Sequence, residues 1–277
     1  MKKSFHVVAM ILALVCSRAA FTQQPANPET NKPVQPVARR VPQAKTHAEF
    51  TDYNTAYGIT GGAAMEKAAD EFAAKYPDSE LKVYLYSKAM HEYQNENNSA
   101  KMLSSGEKVL QFDPDNSIAL VLTANVLADS VSDANTDKQA KIARVRKNST
   151  RALETVDAAF VAPPNATPTM VAEYKSTLRS MAHSALGIVA LKTGDDAAAE
   201  NELKLAAGQT QSQPDAYIWY HLALAQDHQK KYSEALTSIN RALQAIGANA
   251  DLGELARGEQ KRLLTLTGGS APTPAPK

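Results

Sequence analysis

Apolar residues follow one another at spacings of three and four along most of the chain, with polar residues between them. Trp219 with Leu222, and Ile239 with Leu243, show this pattern clearly. Such spacings place apolar side chains on one face of an α-helix, whereas a half-buried strand alternates apolar and polar residues at every position. The chain from residue 46 to residue 267 is therefore predicted to be all-α.

The predicted helices are separated by short turns rich in glycine, proline, aspartate and asparagine. In the turn at Gly194 and Asp195, the glycine can end one helix in the left-handed conformation and the aspartate can cap the first amides of the next. Pro168 suits the first position of a helix, where its missing amide costs nothing. The predicted helices before residue 195 cover residues 47–57, 63–75, 81–95, 99–112, 118–129, 137–160 and 168–193.

Two segments between residues 180 and 247 can be superimposed at an offset of 216 − 180 = 36 residues. A period of this length is typical of helical repeats. Small residues at two equivalent positions, Gly187 and Ala223, let the axes of two antiparallel helices approach to about 8–10 Å. The equivalent positions are Gly187, Gly194, Ala199, Leu203 and Ala206 in the first segment and Ala223, Lys230, Ala235, Ile239 and Ala242 in the second.

The second segment resembles the tetratricopeptide repeat (TPR). Its first helix carries Trp219, Leu222 and Ala223 and its second carries Ala235 and Ile239 at the family's signature positions. The resemblance implies an all-α solenoid of four or five helical hairpins, wound as a right-handed superhelix over residues 46–267. The clearest repeats are 180–213 and 216–247, followed by a capping helix at 250–267.

Two turns earlier in the chain also resemble the ends of such repeats. Residues 113–116 match a common TPR ending, and residues 76–79 resemble the close of repeats in several bacterial envelope proteins, including the lipoprotein of the outer-membrane barrel-assembly machinery. Counted back from the ending at residues 113–116, Gly106 occupies the position where the family has a large apolar residue. We therefore expect loose packing at Gly106.

The N-terminal residues 1–20 have the order of a secretory signal. Lys2 and Lys3 precede an apolar run at residues 7–15, and small residues follow at Ala19 and Ala20. The run is too short to span a bilayer as a membrane helix, although an uncleaved anchor is the alternative. The chain is expected to be exported, to the periplasm or the periplasmic face of the outer membrane.

The segments at 21–45 and 268–277 are rich in proline and are predicted to be disordered linkers. Cys16 is the single cysteine, so cleavage after Ala19 or Ala20 leaves a chain without thiols. The alternative is that Cys16 is the acylated first residue of a lipoprotein, because residues 13–16 loosely resemble a lipobox. A lipid there would anchor the chain to a membrane without spanning it.

The net charge is +1 for the full chain, and removing three basic residues with the leader leaves 27 basic against 29 acidic residues. This balance argues against a nucleic-acid partner. One predicted helix, 137–160, nevertheless has a basic face. That face is either solvated or a contact for an acidic partner or an anionic membrane; it carries Lys138, Lys141, Arg144, Lys147 and Arg151.

Motifs for phosphate binding, dinucleotide binding, nucleophilic hydrolysis and zinc peptidase chemistry are absent from the sequence. His221 and His228 lie seven residues apart beside Asp227, a pattern more typical of surface or packing histidines than of a metal site. We therefore predict no enzymatic activity, no cofactor and no metal.

In TPR arrays the first helix of each repeat lines a concave groove that binds a partner. The resemblance places Tyr217, Tyr220, Leu224, Asp227 and His228 in that groove for the last repeat. For the repeat before it, the groove positions are Met181, Ser184, Ile188, Leu191 and Lys192. The lysine, asparagine and arginine set of chaperone-binding members is not matched by Ser184, Ile188 and Lys192.

Three functions are compatible with these features. The first is a noncatalytic scaffold of the bacterial envelope that binds a protein segment in the groove. The second is an outer-membrane lipoprotein that assists envelope protein assembly. The third is an enzyme or a ligand-binding or metal-binding protein that uses a pocket around His221, Asp227 and His228.

Overall fold

A computed structural model describes residues 41–134, 136–162, 165–210, 215–247 and 249–268. In these residues the chain forms eleven α-helices and no strand. The helices are α1 (His47–Tyr57), α2 (Gly62–Lys75), α3 (Lys82–Asn95), α4 (Ser99–Phe112), α5 (Ser117–Ser130), α6 (Lys138–Ala159), α7 (Pro168–Lys192), α8 (Asp196–Gln209), α9 (Ala216–His228), α10 (Tyr232–Ala245) and α11 (Ala250–Leu266). The all-α prediction is confirmed.

Each helix packs against the next one in the chain, so the helices stack as consecutive antiparallel hairpins. The odd-numbered helices also contact one another, α1 with α3, α5 with α7, and α7 with α9. These contacts between alternate helices define one side of the stack. We call the side formed by the odd-numbered helices the inner face and the side formed by the even-numbered helices the outer face.

Short polar side chains set the first residue of most helices. Asn98, Asn116, Asp195 and Asn249 each accept a hydrogen bond from the amide three residues ahead, at 3.0–3.2 Å. These bonds satisfy amides that have no partner within the helix. Gly194, with φ +79°, ends α7 as predicted, because glycine adopts this left-handed conformation without strain.

Five clusters of buried apolar side chains lie along the stack, and two of them lie side by side between α5, α6 and α7. Such clusters are expected when each hairpin buries its apolar faces against its neighbours. Close packing at Gly187 matches the prediction, because an added Cβ would lie 2.6 Å from Leu203 Cγ. The prediction of loose packing at Gly106 is wrong. There an added Cβ would lie 2.6 Å from Thr123 Cγ2, since α4 and α5 approach closely at that point.

Helices α6 and α7 are much longer than the others, at 22 and 25 residues. The extra turns pack on each other, with the Phe160 and Tyr174 ring centroids 6.1 Å apart and Arg179 paired with Asp157 at 2.7 Å. Thr167 caps α7 and Pro168 opens it, as predicted. The longer α7 contacts α5, α6, α8 and α9 and so joins the two halves of the array.

The predicted signal at residues 1–20 lies outside the described residues, as do most of the 21–45 linker and residues 269–277. Within the ranges that the structure describes, none of the helices has the length and apolar character needed to cross a membrane.

Candidate functional site

An aromatic cluster on α9 lies at the centre of the predicted groove. The rings of Tyr217 and His221 have centroids 4.1 Å apart, and the Tyr220 ring meets His221 edge-on at 5.4 Å. The His221 Nδ1 atom lies 2.8 Å from the backbone oxygen of Tyr217. Since that oxygen can only accept, Nδ1 carries the proton in this arrangement.

The pKa of His221 is lowered to about 4, mainly by burial; the hydrogen bond to the Tyr217 backbone opposes this effect and the nearby Lys192 charge adds to it. The imidazole is therefore neutral at physiological pH. Burial also raises the pKa of Tyr220, and the Glu259 carboxylate adds to that effect. At neutral pH this cluster presents uncharged aromatic groups.

The predicted groove residues Tyr217 and Lys192 both bind helix α5. The Tyr217 hydroxyl donates to Asp129 Oδ1, and Lys192 Nζ donates to the backbone oxygens of Ala128 and Asp129 at 2.8 and 2.6 Å. Carbonyls at the end of a helix lack partners within the helix, and a cation there is favoured by the helix dipole. Lys192 thus stabilises the end of α5.

Asp227 forms an ion pair with Arg262 of α11, and Arg262 in turn lies 2.7 Å from Glu259. The Asp227 side chain is largely buried in this contact. His228 is turned to a different neighbour, with its Nδ1 atom 2.9 Å from Asp196 Oδ1 of α8. The two histidines and Asp227 are therefore not gathered around one point, and no cluster able to hold a metal occurs in the described ranges.

Ser184 and Ile188 do not reach the groove surface. Ile188 is 1% exposed and belongs to the apolar cluster formed with α5 and α6, and Ser184 is 4% exposed. The prediction that these two residues lie on an accessible groove is wrong, because the long α7 packs against neighbouring helices along this face. Half-buried groove positions are Met181, Leu191, Tyr220 and Leu224. The binding role of the accessible groove residues stays a prediction.

The basic face of α6 is largely neutralised by neighbouring acids. Arg144 pairs with Glu107, and Arg151 binds Asp115 at 2.6 Å. Lys138 and Lys141 pair with Asp133 and Asp137 at the start of the helix, at 2.5 and 3.1 Å. These pairs support the interpretation of a solvated face, and one of them, Arg144 with Glu107, joins α6 to α4.

Two carboxylates on even-numbered helices, the buried Glu200 and the half-buried Glu66, were not predicted from the sequence. Burial raises the pKa of Glu200, but hydrogen bonds from Lys204, Lys231 and Gln229 outweigh it and lower the pKa to about 2. Burial likewise raises the pKa of Glu66, and bonds from Tyr93, Lys101 and Lys108 lower it to about 2. The signal for Glu200 was its spacing of four from Lys204, which is common on any exposed helix.

Solved structures include a protein of similar fold. No family model matches the chain, and no curated protein matches it. The chain is similar to the crystal structure of a thermophilic TPR protein from Thermus thermophilus, at 13% identity, with 76% of this chain and 98% of that chain covered and a TM-score of 0.47. The assignment of the fold stands on the stacked hairpins described above. The fold is a tetratricopeptide-like helical solenoid.

Proposed function

We propose that the chain is a noncatalytic scaffold that binds a segment of another protein on the inner face of α9 and α11. The observation that supports this most is the half-buried pair Tyr220 and Leu224, one helical turn apart beside the neutral His221. A tyrosine offers a large contact area with few rotatable bonds to freeze, so aromatic residues of this kind contribute strongly to protein interfaces.

The charged groups of the same face favour an apolar partner segment. Lys192 is bound to the end of α5, and Asp227 is bound to Arg262. Breaking such partly buried pairs to bind a charged ligand would cost free energy, because each charge would need a new partner. A partner that places apolar side chains against Tyr220 and Leu224 leaves these pairs intact.

We further propose that this scaffold works in the bacterial envelope, on the basis of the signal-like residues 1–20 and the linker that follows them. A lipid-anchored form that assists envelope protein assembly is the second candidate, and Cys16 is the feature that favours it. Mass spectrometry of the mature N-terminus separates the two, because an unmodified start after Ala19 or Ala20 rules out a lipid on Cys16.

Site-specific photo-crosslinking in cells tests the binding face. A photoreactive phenylalanine analogue at Tyr220 is expected to give a discrete crosslinked species, and the added substitution Leu224→Glu is expected to abolish it. The matched control carries the same probe at Leu205, which is 43% exposed on α8. If the Leu205 probe captures the same species, or if Leu224→Glu leaves the Tyr220 species unchanged, the inner face of α9 is not the binding surface.

A further inference from the structure

A cleft of about 880 Å³ lies on the outer face between α8 and α10. Trp219 and Leu222 of α9 line it together with Ala207 of α8 and Glu234 and Arg241 of α10. Its size is within the range of about 300–1,000 Å³ that is common for ligand pockets. The aromatic groove residues described above lie on the opposite side of α9, so this cleft is a separate surface.

The cleft places the Trp219 ring beside Leu222, Ala207 and Ala245, among a larger number of polar side chains. The Arg241 guanidinium lies 4.5 Å from the centroid of the Trp219 ring, which holds the indole in place. Deeper polar groups are already bonded to each other, since the Ser238 hydroxyl donates to Gln226 Oε1 at 2.7 Å. Grooves lined by aromatic side chains suit proline-rich segments, which are extended before binding and lose little entropy when they dock.

This chain supplies such a segment next to the cleft. Residues 269–277 follow α11 and contain Pro272, Pro274 and Pro276. A short turn connects α10 to α11, so α11 runs back along α10, as the Gln260 bond to Asn240 at 2.6 Å shows. The pair between Arg262 and Asp227 then places the end of α11 beside the start of α10.

The segment is long enough to pass over α10. Nine residues in an extended proline-rich conformation span about 28 Å at about 3.1 Å per residue. A helix with its side chains is only about 10–12 Å wide. The cleft begins at Glu234, in the first turn of α10, which is the end of α10 where α11 finishes.

We propose that the proline-rich segment 269–277 binds in the cleft between α8 and α10, with its prolines against Trp219. The proposal is independent of the proposed function, because it concerns the outer face and an intramolecular ligand. A bound segment covers the outer side of the last repeat and leaves the inner face of α9 and α11 open to a partner.

Fluorescence tests this directly, because Trp219 is the single tryptophan of the chain. Acrylamide quenching is compared between the full chain, the full chain with Pro272→Ala, Pro274→Ala and Pro276→Ala, and a chain that ends after Gly268. Since a ligand in a cleft of this size covers most of the wall it contacts, the quenching constant is expected to rise about twofold in both variants. Adding a peptide of residues 269–277 to the shortened chain is expected to reverse the rise.

Two glycines provide matched controls. An added Cβ meets nothing within 4 Å at Gly208, which lines the cleft, or at Gly258, which lies on α11 away from it. In a Gly208→Phe background the phenyl ring occupies the cleft, so removing the segment is expected to leave the quenching of Trp219 unchanged. In a Gly258→Phe background the full effect of removal is expected.

Several results would overturn the proposal. The first is equal quenching of Trp219 in the full and shortened chains. The second is a rise in quenching on removal of the segment that persists in the Gly208→Phe background. The third is protection of Trp219 in the shortened chain by a peptide of residues 21–45 but not by one of residues 269–277. Protection that is lost on dilution of the full chain would instead assign the cleft to a segment from a second copy. The crosslinking experiment at Tyr220 is unaffected by any of these outcomes.

Discussion

His221 shows how a single residue of this fold links stability to pH. Its pKa is lowered to about 4 in the folded chain, whereas an unfolded histidine has a value near 6.5. Between these values the unfolded chain binds a proton that the folded chain does not, so stability falls as the pH is lowered. Above pH 6.5 the ring is neutral in both states and the free energy of unfolding is not reduced. Toward pH 4 the free energy of unfolding decreases by at most about 3 kcal/mol on account of this residue.

We predict that the His221 ring resonances in an NMR titration have a midpoint near pH 4. The free energy of unfolding should decrease from pH 6.5 to pH 4 more steeply in the wild type than in His221→Gln, which also serves to assign the resonance. A midpoint near 6.5 would mean that the ring is solvated and not packed between Tyr217 and Tyr220.

Glycines illustrate what can and cannot be inferred from single residues. At Gly187 the repeat pattern itself indicated a close helix crossing, and the structure confirms it. At Gly106 the same pattern suggested loose packing, because a large residue is usual there. The backbone of α4 instead approaches Thr123 of α5 and fills the space, which depends on the distance between two helices and not on the local sequence.

At the scale of elements, long cations join the ends of inner-face helices to their neighbours. Lys88 of α3 donates to the backbone oxygens of Tyr57, the last residue of α1, and Ile59, and Lys192 of α7 binds two carbonyls in the last turn of α5. The inner face therefore uses charged residues to hold the array together. The same residues are then poorly placed to bind a charged partner.

Replacing Lys192 by methionine keeps most of the apolar stem and removes the charge. We predict a loss of about 1–2 kcal/mol in the free energy of unfolding, because two carbonyls at the end of α5 lose their donor. Amide hydrogen exchange should become faster in the last turn of α5. Urea unfolding and hydrogen exchange measure the two effects.

The control is Lys67→Met, since Lys67 is exposed and its ion-pair partner is Glu71 on the same helix, at 3.8 Å. An exposed pair of this kind contributes little, so a change within about 0.5 kcal/mol is expected. Equal effects of the two substitutions would contradict the role of Lys192 as a bridge between helices.

At the scale of the whole molecule, the stack of clusters makes stability a local property, because each hairpin contacts its neighbours along the array. The first cluster, around Leu85, and the last, around Leu263, have no residue in common. Both leucines are fully buried. The chain therefore offers the same substitution at two distant points of the solenoid.

We predict that Leu263→Ala and Leu85→Ala each cost about 2–5 kcal/mol at their own end, the range for a deleted core leucine. In urea, Leu263→Ala should shift the fluorescence transition of Trp219 more than the far-UV circular dichroism transition. Leu85→Ala should do the reverse. Identical shifts of both signals in both variants would show that the solenoid unfolds as one cooperative unit.

The repeat period, the caps and the helix boundaries were predictable from the sequence, because each depends on residues a few positions apart. Most of the predicted helices begin and end within one residue of the observed ones, and Asp195, Gly194 and Pro168 act as their chemistry implies. The groove could be predicted only as a list of positions on α7 and α9, from the family resemblance.

The tertiary structure alone decided which of those positions are accessible. Ile188 and Ser184 are buried because the long α7 packs against several helices at once, and Lys192 is engaged by the end of α5. The neutral state of His221 and the cleft beside Trp219 also arise from the spacing of neighbouring helices. Burial and charge pairing depend on residues that are far apart in the sequence, which is why the local pattern could not determine them.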